Sequence, residues 1–175
     1  MKKLVTVFLV FFIFFGCSTT EKLVMSSLYS TTTENRQDIN GNFTIQELLI
    51  WKNVGWSSGS NTAITLSKGT QNSTVIYNFV IRYIGLDWVF IDTLKIKLDN
   101  GDVITLKDNS PARDTSRSGS NVTVNELTNY FLSKEIINQL KNCNSLIMQF
   151  SGKYSNDPIT IPPEGINAIK QFIAQ

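Results

Sequence analysis

Fourteen acidic residues and no histidine set the chemistry open to this chain. Without an imidazole, Ser-His-Asp and Cys-His nucleophiles, His-based acid–base catalysis and His-containing zinc sites are excluded. Carboxylate chemistry remains. Two acids about 5–9 Å apart hydrolyse glycosidic bonds, and Asp87, Asp92, Asp99, Asp102, Glu126 and Glu135 are the candidates for a glycan- or peptidoglycan-acting hydrolase. None has a diagnostic spacing. Asp99 and Asp102 flank an Asn100-Gly101 turn, and Glu135 falls in the first turn expected of a helix. Asp92 interrupts an otherwise apolar face running from Trp88 to Leu98, where an acid needs a partner such as Arg82. Ser67-Lys68 and Ser133-Lys134 lack any surrounding motif and read as a turn and a cap. The chain has no nucleotide-binding glycine pattern, GxSxG elbow, CxxC pair or EF-hand loop. Neither a cofactor nor a metal is expected.

Binding is the other chemistry on offer. Trp51 and Trp56 bracket a Gly/Ser stretch, where indole faces stack on a sugar or a partner's surface, or else close the core. Arg113 and Arg117, with Asp114, sit in the polar stretch 108–120, which suits an anionic partner or simply faces water. Cys143 follows a helical pattern and reads as a small buried hydrophobe.

The N-terminus gives these residues a compartment. Lys2 and Lys3 precede an apolar run over 4–15 that ends in Gly16-Cys17, the layout of an export signal. As a helix the run spans about 18 Å, short of the ~30 Å hydrocarbon core of a bilayer. Phe14-Phe15-Gly16-Cys17 resembles the lipobox of bacterial lipoproteins, although that family usually has Leu and then a small residue where Phe14 and Phe15 stand. The resemblance implies cleavage before Cys17, acylation of its thiol and attachment to the bacterial envelope, with Ser18 favouring the outer membrane or cell surface. Cys143 would then have no disulfide partner. Without Lys2 and Lys3, the 16 basic residues fall to equal the 14 acidic ones. A neutral chain with no basic run argues against nucleic acid.

These features divide the chain into a signal (1–16), a lipidated cysteine with a Ser/Thr/Asn-rich tether (17–42) and one domain (43–175). About twenty-five such residues have a root-mean-square reach of roughly 25–30 Å. Thr44 to Glu47 has capping-box spacing and predicts a short helix over 45–52. Period-two alternation predicts strands over 63–67, 74–84, 88–98 and 102–107, the last two joined at Asn100-Gly101. The stretch 108–120 predicts a loop. A strand is expected over 121–132, a helix capped by Ser133, a strand near 146–150, an extended piece at 159–161 and a helix opened by Pro162-Pro163. The whole predicts an α+β domain: an antiparallel meander of five to six strands with two or three helices on one face. The function that follows is a membrane-anchored, non-enzymatic binding or scaffolding module with an envelope protein or glycan as partner. The carboxylate-dependent hydrolase is the alternative, and a subunit presenting a strand edge is a third.

Overall fold

Threonine and β-branched or aromatic residues recur on alternate positions through much of the chain from Thr31 to Phe131, and such residues suit a pleated, half-buried surface. In the computed structural model, which describes residues 27–38, 41–55, 60–99, 101–108, 110–118 and 121–175, they pair into sheets. The strands are β1 (Thr31–Asp38), β2 (Gly41–Gly55), β3 (Ser60–Gln71), β4 (Thr74–Gly85), β5 (Thr93–Leu98), β6 (Val103–Lys107), β7 (Ala112–Ser118) and β8 (Asn121–Phe131). Helix α1 (Lys134–Asn142), β9 (Leu146–Ser151), β10 (Ile159–Ile161) and α2 (Pro163–Ala174) complete the described chain.

Every pairing is antiparallel. One sheet has the order β1-β2-β3-β4-β8-β7 and curls into a half-barrel, while the second has the order β10-β9-β5-β6. The expected α+β layer is therefore corrected to a mostly β fold, with ten strands in two sheets and two helices among the described residues. Three segments account for the difference. The expected helix over 45–52 lies inside β2, the stretch 108–120 contains β7, and the sheet begins at β1 within the segment read as tether. β1 and β7 are the two edges of the half-barrel. An edge strand needs backbone pairing on one side only and little apolar content, so TTTENRQD and ARDTSRS carry no hydrophobic signature.

The core lies between the sheets. Leu48, Leu66, Phe79 and Tyr130 form one cross-strand row of the half-barrel, and they join Leu94, Ile96 and Met148 of the second sheet in a single apolar cluster. Burying each such side chain contributes about 1.5–3 kcal/mol. Helix α1 starts where the Ser133 hydroxyl accepts the Ile136 N–H at 3.3 Å, and it buries Ile137 and Leu140. Helix α2 carries Pro163 and Glu164 in its first turn and buries Ile166, Ile169, Phe172 and Ile173 against the same cluster. No helix among the described residues is long and apolar enough to cross a membrane.

Candidate functional site

After β4 the chain turns at Gly85, as the sequence suggests, and then makes an excursion whose left-handed residue is neither Gly nor Asn. The expected strand over 88–98 does not begin until Thr93, and Phe90 adopts a left-handed backbone at φ +56°. For a bulky side chain that conformation costs about 1–2 kcal/mol. The cause lies on β8. The Glu126 side chain is wholly buried, opposite Tyr83 on β4 and Arg113 on β7, and a buried carboxylate must be hydrogen-bonded. Glu126 Oε1 accepts the N–H of Val89 at 2.6 Å and of Phe90 at 2.9 Å, and Oε2 accepts the N–H of Ile91 at 2.8 Å. Three successive N–H groups converge on one anion only if the backbone curls, and the left-handed Phe90 supplies that curl.

Neighbouring groups fix the loop further. Arg113 donates from Nε to Glu126 Oε2 at 3.4 Å and from Nη2 to the Ile91 carbonyl at 3.1 Å, while its guanidinium lies 5.3 Å from the centre of the Phe90 ring. The Tyr83 hydroxyl donates to the Asp87 carbonyl at 3.1 Å. Burial, helped by the nearby Glu126 and Asp87 charges, holds that phenol above its usual range. The Tyr83 ring lies so close over Gly85 that a Cβ there would fall 2.0 Å from its oxygen. On the far side, Lys153 N–H donates to the Val89 carbonyl at 2.7 Å. A Cβ on Gly152 would fall 2.1 Å from the Phe90 carbonyl oxygen, so this approach admits only glycine.

The loops 86–91 and 152–155 are thus held rigidly and present apolar side chains outward. Leu86 is 60% exposed, Phe90 45% and Tyr154 62%. The half-buried Trp88 stacks on Phe90 with centroids 5.9 Å apart, and the Lys153 ammonium lies 5.2 Å from the Tyr154 ring centre. Ring faces edged by the Arg113 and Lys153 side chains have the composition that exposed binding surfaces share.

The sequence-based candidates fall unevenly around it. Arg113 belongs to the site, but as the clamp on Glu126 and Phe90. Arg117 is exposed on the edge strand β7. At a bulge in β2 the register shifts between Leu49 and Trp51, so Leu48, Ile50 and Trp51 all meet the core. Trp51 packs on Phe150 at 6.5 Å between centroids, which is the core-closing role. Trp56 and Cys17 lie outside the described residues. No signal in the sequence marked Phe90 or Glu126 as partners, because the contacts join residues 35 to 37 positions apart.

Of the acids proposed for hydrolysis, Asp99, Glu126 and Glu135 are built into the framework, while Asp87, Asp92 and Asp102 are exposed. Asp99 accepts the N–H groups of Asn144 at 2.7 Å and Ser145 at 2.9 Å, which hold its carboxyl below the usual range, Asn144 first. The Ser133 hydroxyl does the same for Glu135 at the start of α1. Asp92 is exposed and accepts the Thr93 hydroxyl at 2.8 Å, so it is not the buried partner of Arg82 that the sequence suggested. Arg82 pairs instead with Glu47 at 2.5 Å and donates to the Thr65 hydroxyl at 3.0 Å. Asp108 accepts the Asn129 N–H at 2.7 Å, beyond the last β7–β8 pair. Glu126 contacts residues 89–91 ahead of β5 and Asp99 follows its far end, so the length of β5, about 17 Å at 3.3 Å per residue, lies between the two sites. Among the described residues no group of three or more Cys, Asp or Glu is placed to hold a metal.

The face of the half-barrel turned away from the core holds a second polar set. Glu47, Ser67 and Asn78 stand directly opposite one another on β2, β3 and β4, and Thr65 and Arg82 share that face. Ser67 and Asn78 are fully buried, yet among the described residues Ser67 Oγ and both side-chain polar atoms of Asn78 have no hydrogen-bond partner.

No protein-family model matches the chain, and no curated protein matches it. Among solved structures, invasion associated protein B from Bartonella henselae is similar at a TM-score of 0.44 and 12% identity, over 85% of this chain and 94% of that chain. A likeness at that level carries no argument, and the functional reading rests on this chain's own residues.

Proposed function

We propose that the protein is a lipid-tethered, non-enzymatic module of the bacterial cell envelope that binds through the surface formed by loops 86–91 and 152–155. The tether rests on the lipobox resemblance at Cys17 and favours the outer membrane or cell surface. The binding role rests on one observation: a left-handed, exposed Phe90 held in place by a fully buried carboxylate. Strain kept by so many contacts serves display, because a core-filling Phe needs no such backbone. The hydrolase alternative is the weaker reading, since Asp99, Glu126 and Glu135 each have an identified framework role.

The test has two arms. Mass spectrometry of the N-terminal peptide from envelope fractions is expected to find an acylated Cys17. A pull-down from the protein's own membranes is expected to lose its specific companion when Phe90→Asp replaces the wild type. An unmodified terminus would overturn the tether, and unchanged retention by Phe90→Asp would overturn the binding surface.

A further inference from the structure

The composition of the displayed surface identifies what it meets. Leu86, Trp88, Phe90 and Tyr154 lie on the same pair of loops as Lys153, with Arg113 behind Phe90. Aliphatic and aromatic side chains mixed with Lys and Arg form the layer that proteins place at a lipid–water interface. There indole and phenol rings sit at headgroup depth, and cations reach anionic headgroups. Asp87 and Asp92 are exposed at this edge and offset the Lys153 charge, so the surface is interfacial by virtue of its rings rather than its net charge. The rigidity matters equally, because an ordered loop enters the interface without losing further conformational freedom.

The geometry of the tether agrees. The described chain begins at Ser27, where Tyr29 donates its N–H to the Leu49 carbonyl at 2.8 Å, midway along β2. The loops lie at the far end of the half-barrel, beside the ends of β4 and β9. From the Leu49 position to the Gly55 end of β2 is about 20 Å at strand rise. The ten-residue step from Cys17 to Ser27 reaches at most about 36 Å when extended. An anchored Cys17 therefore permits the loops to touch the same bilayer. At such a tether length the local concentration is of millimolar order, so even a weak surface engages.

We infer that loops 86–91 and 152–155 dock onto the interfacial layer of the membrane that holds the tether, giving the tethered domain a fixed orientation. This rests on reading that surface as the binding surface and Cys17 as lipidated. The test uses the full chain reconstituted in vesicles of phosphatidylethanolamine and phosphatidylglycerol, with Trp51→Phe and Trp56→Phe leaving Trp88 as the only indole. Flotation reports the tether. Quenching of Trp88 by lipids brominated near the headgroup reports docking. The expected result is co-flotation with Trp88 quenched at shallow depth, and loss of the quenching in Phe90→Asp and in Tyr154→Asp, whose site is too exposed to unfold the domain. Co-flotation with Trp88 unquenched refutes docking and leaves the tether standing. A chain that does not co-float refutes the tether and the inference together. Retention by an insoluble envelope glycan that Phe90→Asp abolishes, with no lipid quenching, would assign the surface to a glycan and overturn the inference.

Discussion

Replacing Glu126 tests the physical basis of the displayed loop. Glu126→Ala leaves the N–H groups of Val89, Phe90 and Ile91 and the Nε of Arg113 without their shared acceptor. A buried donor left unpaired costs about 1–3 kcal/mol. Breaking a buried charge pair costs about 3–5 kcal/mol. The two figures overlap as measures of one loss, and Val89, Phe90 and Arg113 lie close enough to solvent for water to replace part of it, so the expected cost is about 3–5 kcal/mol. Against a typical stability of about 5–15 kcal/mol that is severe. Glu126→Gln keeps one oxygen for Val89 and Phe90 but turns an amide donor toward Ile91 and Arg113, and about 2 kcal/mol is expected to go. Urea denaturation measures both values, and hydrogen exchange reads the three amides directly. The amides of 89–91 are expected to lose protection in both variants, while those of β9 and α2 keep theirs in Glu126→Gln. Should Glu126→Ala cost under about 1 kcal/mol, or the three amides stay protected, the carboxylate would not be what holds the loop.

Asn78→Leu removes an amide that is fully buried and unpaired among the described residues, and should raise stability by about 1–2 kcal/mol in urea titration rather than lower it. Asp99 has a folded pKa below its ordinary 3.8. Its contribution is therefore present above that value and lost as pH falls through the lower folded one. Asp99→Asn is expected to lower the melting temperature near neutrality and to change little in strong acid, which flattens the acid limb of the melting temperature against pH profile. Cys143 is 4% exposed, and burial first, then the Asp99 charge, pushes its thiol upward. It should stay unmodified by a thiol reagent in the native protein and react on unfolding.

How much of this was legible depended on whether the signal was local. β4, β8 and β9, the β5–β6 hairpin and both helices follow from patterns within a dozen residues. β2 did not, because the half-barrel buries Leu49 on one face and Leu48 and Ile50 on the other, so its apolar run has no clean period of two. Thr44 and Glu47 then gave capping-box spacing inside a strand. β1 and β7 were hidden by their edge positions. At the site, Arg113 drew attention through its charge, but its role depends on Glu126, which an isolated sequence shows only as one acid among fourteen. Trp51 and Trp56 stand out in the sequence because they bracket a Gly/Ser stretch. The exposed rings instead sit on a loop whose left-handed residue is a phenylalanine, a choice made by tertiary hydrogen bonds and not by local propensity.

The central claim is that the Phe90 surface is where this protein meets its target. A photo-reactive phenylalanine analogue placed at position 90, at 154 and, as a control, at exposed position 117 on β7, and illuminated in intact cells, tests that claim most directly. Cross-linking from 90 and 154 to an envelope component, with none from 117, is the result expected. Silence at 90, or equal cross-linking from all three positions, would contradict the account.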